Sequence, residues 1–115
     1  MNYVIRGRVI RGDGYGRKLG FPTVNLDSYG VDLPKAGVYS GSALLENKSY
    51  RAGIVIGTKE TKSKVEAHLI DYTGDAYGKE VTLEVEKFIR EYKNFRNEEE
   101  LIKQIKADLV LCSQE

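Results

Sequence analysis

The chain of 115 residues is 41% apolar and 30% charged, proportions that are typical of one compact domain spanning residues 1–115. Lys and Arg number 18 against 17 Asp and Glu, so the net charge of +1 creates no field that would attract nucleic acid or an anionic membrane. One cysteine, Cys112, excludes an intrachain disulfide and a thiolate metal site. With no apolar run near the ~20 residues of a spanning helix, we expect a cytoplasmic monomer that binds neither nucleic acid nor membranes.

The first predicted element is a strand, YVIRGRVI at 3–10, and a glycine-rich loop follows it. Fixing so many glycines costs backbone entropy, which leaves two interpretations open. One is an ordinary mobile hairpin connection. The other is a phosphate cradle, in which backbone N–H groups face anionic oxygens and two cations supply the countercharge. The residues expected in the cradle are Gly14, Gly16, Arg17, Lys18 and Gly20.

The segment FPTVN follows the loop and carries two neutral oxygen ligands. Thr23 and Asn25 alternate on an extended chain, so their side chains point to the same face. A hydroxyl and an amide oxygen suit Mg²⁺, which completes its shell with waters and nucleotide phosphates. The alternative is a plain strand residue beside a turn-capping amide. Because the pair adjoins the loop, the sequence predicts a Mg²⁺-nucleotide triphosphate site in which Thr23 and Asn25 bind both phosphate and metal.

Four further runs are rich in β-branched and aromatic residues and have the length of strands. They are GVYSGSALLE (37–46), SYRAGIVIG (49–57), KVEAHLIDY (64–72) and VTLEVEKFI (81–89). Turn signals separate them, a spacing that predicts an antiparallel meander or Greek key that is closed or nearly closed. In the run KVEAHLIDY, Glu66 and His68 share one strand face, opposite Val65, Ala67 and Leu69.

The last segment, NEEELIKQIKADLVL, has the periodicity of an amphipathic helix. Asn97 is placed to cap its first turn, and Glu100 stands where a capping box has its acid. We expect the apolar stripe to cover a face or open end of the barrel rather than to bind a partner.

These segments together resemble the riboflavin kinase family, which also occurs as the C-terminal half of bacterial bifunctional FAD synthetases. The resemblance begins with GDGYGRKLGFPTVNL and covers nearly the full length. It continues in PKAGVYSG (34–41), KVEAHLIDYTGDAYGKEV (64–81) and FIREYKNFRNEEELIKQIKAD (88–108).

The resemblance implies a mainly β fold, a six-stranded antiparallel Greek-key barrel with a C-terminal helix. It also implies transfer of the γ-phosphate of ATP, with Mg²⁺, to the 5′-hydroxyl of riboflavin to give FMN. Two rival functions remain: a flavin- or nucleotide-binding regulatory module without effective catalysis, and a nucleic-acid-binding barrel. The sequence shows no adenylyltransferase segment, so we expect FMN rather than FAD as the product.

By resemblance, Glu66 occupies the position of the catalytic acid and would accept the proton of the ribityl hydroxyl. Without the motif, a solvent-facing strand glutamate would be the commoner assignment. His68, the only histidine, is expected to be a structural hydrogen-bond donor.

The flavin-binding residues are also inferred from segments that match the family. Tyr77 and Phe95 could equally be packing residues, and Arg90 could be a surface ion-pair partner. The set expected around the flavin is Leu69, Asp71, Tyr77, Arg90 and Phe95.

The chain departs from the family pattern before the glutamate. In VIGTKETKSKVE, Val55 replaces an asparagine, Glu60 replaces a proline, and the loop at 58–64 is short. We expect a change in loop rigidity there to alter either substrate affinity or the order in which the substrates bind.

Overall fold

The computed structural model describes residues 3–12, 14–27, 32–57 and 65–114, and its six strands close into one barrel. The short loop at 58–64, with Glu60, lies outside the described residues. In chain order the elements are β1 (Tyr3–Ile10), α1 (Tyr15–Lys18), β2 (Val24–Leu26), β3 (Gly37–Leu45), β4 (Lys48–Ile56), β5 (Val65–Leu69), β6 (Glu80–Arg90) and α2 (Glu98–Cys112).

Every pairing in the barrel is antiparallel, and the strand order is β1-β2-β5-β4-β3-β6. Strands β2 and β5 are neighbours although two strands separate them in sequence, as are β3 and β6, which is the crossover expected of a Greek key. The predicted fold class, an antiparallel barrel with a C-terminal helix, is therefore confirmed. Closure gives every strand of the barrel a neighbouring strand on both sides.

The core fills the barrel with inward-facing aliphatic side chains. Ile5, Ile54 and Leu83 are fully buried, and each alternates along its strand with more exposed neighbours. Between β3 and β4, Glu46 and Asn47 both take positive φ, as a two-residue hairpin turn requires.

Helix α2 begins where the sequence predicted and packs against β3 and β4. The Asn97 side chain accepts a hydrogen bond from the Glu100 backbone N–H at 2.9 Å, which caps the first turn. A Cβ on Gly53 would lie 3.1 Å from a Leu109 methyl carbon and 3.5 Å from the Cys112 sulfur, so the helix rests closely on β4. The helix therefore covers a face of the barrel, as expected.

Three local predictions differ from the structure. The single turn α1 was not predicted, because it lies among glycines, and β2 was predicted only as extended chain around Thr23 and Asn25, because it is three residues long. Strand β5 ends at Leu69 rather than 72, since Asp71 turns the chain with a φ of 67°. Neither helix in the described part of the chain has the length and apolar character needed to cross a membrane.

Candidate active site

The site is built where β2 pairs with β5. Asn25 lies directly opposite Glu66 in this pairing, and Val24 lies opposite Ala67. Val65, Ala67 and Leu69 face the core, so Glu66 and His68 share the other face, as the alternation predicted. The Thr23 hydroxyl, just before β2, donates a hydrogen bond to Glu66 Oε1 at 3.2 Å. The carboxylate thus lies beside the Thr/Asn pair.

Asn25 is 8% exposed and lies against the start of the glycine loop. A Cβ on Gly12 would overlap the Asn25 side-chain amide, so the backbone approaches this amide as closely as only glycine permits. The glycine at this position is therefore required by packing against a predicted site residue.

The second half of the glycine loop differs from the predicted phosphate cradle. The N–H groups of Lys18, Leu19, Gly20 and Phe21 all donate to carbonyls within the loop, at 2.8 to 3.3 Å. They form α1 and the turn after it, so they do not face outward as a cradle requires. The backbone of residues 18–21 is therefore not part of an anion-binding surface.

Two cavities share Thr23 as a lining residue. The first, here called the loop cavity, has a volume of about 440 Å³ and lies between the glycine loop, β2 and the segment 69–77. Six of the predicted site residues line it: Gly14, Arg17, Thr23, Asn25, Leu69 and Tyr77.

The second, here called the helix cavity, has a volume of about 610 Å³ and lies between β5, the segment after β6, and α2. Five predicted residues line it: Gly16, Thr23, Glu66, Arg90 and Phe95. Thr23 lines both cavities, and its hydrogen-bond partner Glu66 lines the helix cavity. Both volumes are in the usual range for small-molecule sites.

The residues expected around one flavin do not surround one cavity. Leu69 and Tyr77 line the loop cavity, whereas Arg90 and Phe95 line the helix cavity. Asp71 is exposed and lines neither cavity. The same is true of Lys18 and Gly20 from the predicted phosphate-binding set. The sequence could not show this division, because it depends on which strands become neighbours.

Arg90 has the ion-pair partner that was its alternative assignment. Its guanidinium contacts the Asp108 carboxylate at 2.9 to 3.2 Å, and Asp108 is only 6% exposed. The guanidinium carbon also lies 5.6 Å from the centre of the Phe95 ring. Asp108 was not predicted, because only the folded chain brings the end of β6 against the middle of α2.

His68 has a structural contact of the kind expected. Its Nδ1 lies 2.7 Å from the Pro22 carbonyl oxygen. Because a carbonyl only accepts, this nitrogen must carry the proton and donate. The contact holds β5 to the segment that presents Thr23.

Two rim residues were not predicted. The Arg11 guanidinium lies 4.1 Å from the centre of the Tyr77 ring, and both residues line the loop cavity. The Tyr15 hydroxyl lies 3.4 Å from Glu98 Oε1 beside the helix cavity. Desolvation and the Glu98 carboxylate raise the pKa of Tyr15, and its hydroxyl donates to that carboxylate.

The donor atoms near Thr23 suit a hard cation bound mainly by other ligands. Within the described residues, no group of three or more His, Cys, Asp or Glu side chains could hold a metal ion alone. Thr23 and Asn25 offer a hydroxyl and an amide oxygen on the wall of the loop cavity. This set fits a Mg²⁺ ion that takes most of its ligands from phosphates and water.

A family model described as riboflavin kinase matches residues 1–114. The bifunctional riboflavin kinase/FMN adenylyltransferase of Escherichia coli strain K12 is 35% identical over 111 residues, which cover 92% of this chain and 36% of that protein. The RNA-binding riboflavin kinase RibR of Bacillus subtilis strain 168 is 36% identical over 92% of this chain and 48% of its own.

The crystal structure of riboflavin kinase from Trypanosoma brucei superposes with a TM-score of 0.71 at 26% identity, over 96% of this chain and 74% of that one. The chain spans between a third and a half of the length of the two curated relatives. With a matching model over almost every residue and the same barrel in a solved relative, the chain belongs to the riboflavin kinase family.

Proposed function

We propose that this chain is an ATP-dependent riboflavin kinase, which transfers the γ-phosphate of ATP to the 5′-hydroxyl of riboflavin and yields FMN and ADP. The observation that carries the proposal is that two ligand-sized cavities share Thr23, whose hydroxyl donates a hydrogen bond to Glu66 on the wall of the helix cavity. A transferase of this kind needs a donor site and an acceptor site that share the reacting atoms. Membership of the riboflavin kinase family supports the choice of substrates.

The loop cavity is assigned to the nucleotide. Arg17 and the glycine loop provide a cation and close backbone approach there, which suits a triphosphate. Leu69 and Tyr77, which the sequence suggested for the flavin, line this cavity and are reassigned to the nucleotide.

The helix cavity is assigned to riboflavin. It is the larger of the two, and it combines aromatic and aliphatic walls at Phe95, Leu101 and Leu109 with the guanidinium of Arg90. A flat, uncharged ring system needs such apolar surface plus a few directed polar groups.

Thr23 Oγ and Asn25 Oδ1 would hold Mg²⁺ together with oxygens of the triphosphate. The bound cation would neutralise charge on the phosphates during transfer. Asn25 is held against Gly12 and lies opposite Glu66, so the proposed ligand is fixed in place before the nucleotide arrives.

Glu66 is the proposed proton acceptor. The ribityl 5′-oxygen forms a bond to the γ-phosphorus while the bond from that phosphorus to the bridging oxygen of ADP breaks, and the hydroxyl proton passes to the Glu66 carboxylate. The hydrogen bond from Thr23 orients this carboxylate beside the residue that both cavities share. His68 orients the chain through Pro22 and has no proposed part in proton transfer.

The test is direct. The protein is incubated with riboflavin, ATP and Mg²⁺, and FMN is measured by chromatography, with reactions lacking ATP as the control. FMN that depends on ATP supports the kinase. Riboflavin binding without FMN would instead favour the binding-module alternative. Gel filtration with and without RNA tests the predictions of a monomer and of no nucleic-acid binding, since one relative is named RNA-binding.

A further inference from the structure

The contact between β6 and α2 contains a buried carboxylate, that of Asp108, which takes no part in the proposed transfer step. Asp108 is 6% exposed and lines the helix cavity, but it lies on α2, whereas the Thr23–Glu66 pair lies at the junction of β2 and β5. A buried charge is costly unless it is paired and hydrogen-bonded, so its partners indicate its role.

Asp108 accepts hydrogen bonds that fix the plane of Arg90. Arg90 Nε contacts both carboxylate oxygens, at 3.1 and 3.2 Å, and Nη2 contacts Oδ2 at 2.9 Å. Gln104, one turn earlier on α2, donates to Asp108 Oδ1 at 2.9 Å and thereby holds the carboxylate itself. The Glu91 carbonyl accepts from Arg90 Nη1 at 3.0 Å.

These hydrogen bonds hold the Arg90 guanidinium in one orientation, and the Asp108 carboxylate neutralises its charge. A guanidinium has five N–H donors, and the hydrogen bonds among the described residues use one on each of its three nitrogens. One N–H on each terminal nitrogen remains for a ligand in the cavity that Arg90 lines. A neutral ring with carbonyl acceptors could bind there without burying an unpaired charge.

We propose that Asp108 is a positioning residue for the flavin: by holding Arg90 in a fixed plane beside Phe95, it sets the affinity for riboflavin without taking part in phosphoryl transfer. The inference rests on the proposed function, because it assigns riboflavin to the helix cavity. Helix α2 is then a wall of the acceptor site as well as a cover for the barrel.

The chain offers a matched control in an ion pair between β4 and β6, whose arginine also holds the end of α2. Arg51 contacts Glu86 at 3.0 Å and donates from Nε to the Cys112 carbonyl at the end of α2. Neither Arg51 nor Glu86 lines the helix cavity. Glu86→Gln should therefore weaken the attachment of the helix without changing the flavin site.

The experiment measures riboflavin Kd by quenching of flavin fluorescence, and KM and kcat for FMN formation, in the unaltered protein, Asp108→Asn and Glu86→Gln. Asp108→Asn is expected to raise Kd and KM about tenfold and to change kcat by less than about twofold. Glu86→Gln is expected to leave all three unchanged. Gln104→Met, which keeps the carboxylate, should raise Kd by about threefold and serves if Asp108→Asn does not fold.

An unchanged Kd in folded Asp108→Asn or Gln104→Met, or an equal rise in Glu86→Gln, would overturn the inference while leaving the kinase proposal intact. Riboflavin binding without FMN formation by the unaltered protein would overturn the kinase proposal, and the Kd values would still decide the role of Asp108. Absence of riboflavin binding by the unaltered protein would overturn both.

Discussion

Thr23 and Glu66 are 43 positions apart in sequence, yet the Thr23 hydroxyl donates a hydrogen bond to the Glu66 carboxylate. Their side chains meet because Asn25 and Glu66 are paired across β2 and β5, which brings Thr23, two residues earlier, within reach of the carboxylate. Each side chain therefore has a separate task in the proposed reaction. Thr23 orients the Glu66 carboxylate and binds the cation, and Glu66 accepts the proton of the ribityl hydroxyl.

Glu66→Gln keeps the shape of the side chain but removes the base. We expect kcat to fall by roughly 10² to 10⁴, because a positioned general base contributes about that much, while riboflavin Kd stays unchanged. FMN formation and fluorescence quenching measure the two quantities. Glu80→Gln, an exposed strand carboxylate outside both cavities, is the control. Turnover close to the unaltered rate in Glu66→Gln would exclude Glu66 as the base.

Thr23→Val removes a proposed cation ligand and the hydrogen bond to Glu66. We expect the Mg²⁺ concentration for half-maximal FMN formation to rise about tenfold, with Thr23→Ser restoring it because serine keeps the hydroxyl. Titration of Mg²⁺ at saturating ATP and riboflavin measures the change. The same Mg²⁺ dependence in all three proteins would contradict the proposed cation site.

Helices and strands of ordinary length could be predicted from local pattern, and the shortest elements could not. Helix α2 was predicted from its apolar spacing and its cap, both of which are local properties. The sequence predicted an extended chain at Thr23 and Asn25, but three residues are too few to define a strand, and β2 depends on its partners on both sides. The turn α1 was missed because glycines have low helix propensity, and here backbone hydrogen bonds within the loop stabilise it.

The cap of α2 allows a test at the level of the element. Asn97→Ala is expected to lower the free energy of unfolding by about 1 kcal/mol, because it removes the acceptor for the Glu100 N–H. Urea denaturation followed by circular dichroism measures this change. Lys103→Ala, an exposed substitution within the same helix, should change it by less than about 0.5 kcal/mol. Equal effects of the two substitutions would show that the cap contributes nothing specific.

In the whole molecule, barrel closure determines what sequence analysis can and cannot find at the site. The motif placed Thr23, Asn25 and Glu66 together, and the structure does bring them together. It could not separate Tyr77 from Phe95, because the two cavities they line are defined by the closed strand order. Asp108 was missed for the same reason, since its partner Arg90 comes from another element.

The packing of α2 on the barrel also gives the whole molecule a pH-dependent stability. Burial, and to a lesser extent the Asp108 carboxylate, raise the pKa of the Cys112 thiol from 9.0 to about 11. The unfolded chain therefore loses this proton first as the pH rises. The stabilisation that the buried, protonated Cys112 thiol contributes is complete below pH 9 and is lost between pH 9 and about 11.

We expect the free energy of unfolding to fall by about 2 kcal/mol over this interval because of Cys112. In Cys112→Ala the fall should be smaller by that amount, whereas Val110→Ala, at an exposed position on the same helix, should retain it. Urea denaturation at pH 8.5, 9.5 and 10.5 measures the slopes. Parallel slopes for Cys112→Ala and the unaltered protein would show that the thiol does not titrate with folding.

The brevity of β2 has a further consequence for the barrel. Three residues join β1 to β5, whereas β3 and β4 are nine residues long and pair along their whole length. Among the described residues, β2 has two paired positions with β1 and two with β5, so local opening on either side of β2 breaks the fewest backbone hydrogen bonds. Thr23 and Glu66 lie on the two sides of the β2–β5 seam. In the proposed function, a nucleotide and a flavin that contact both residues would span this seam, so bound substrates would stabilise the barrel beside its shortest strand.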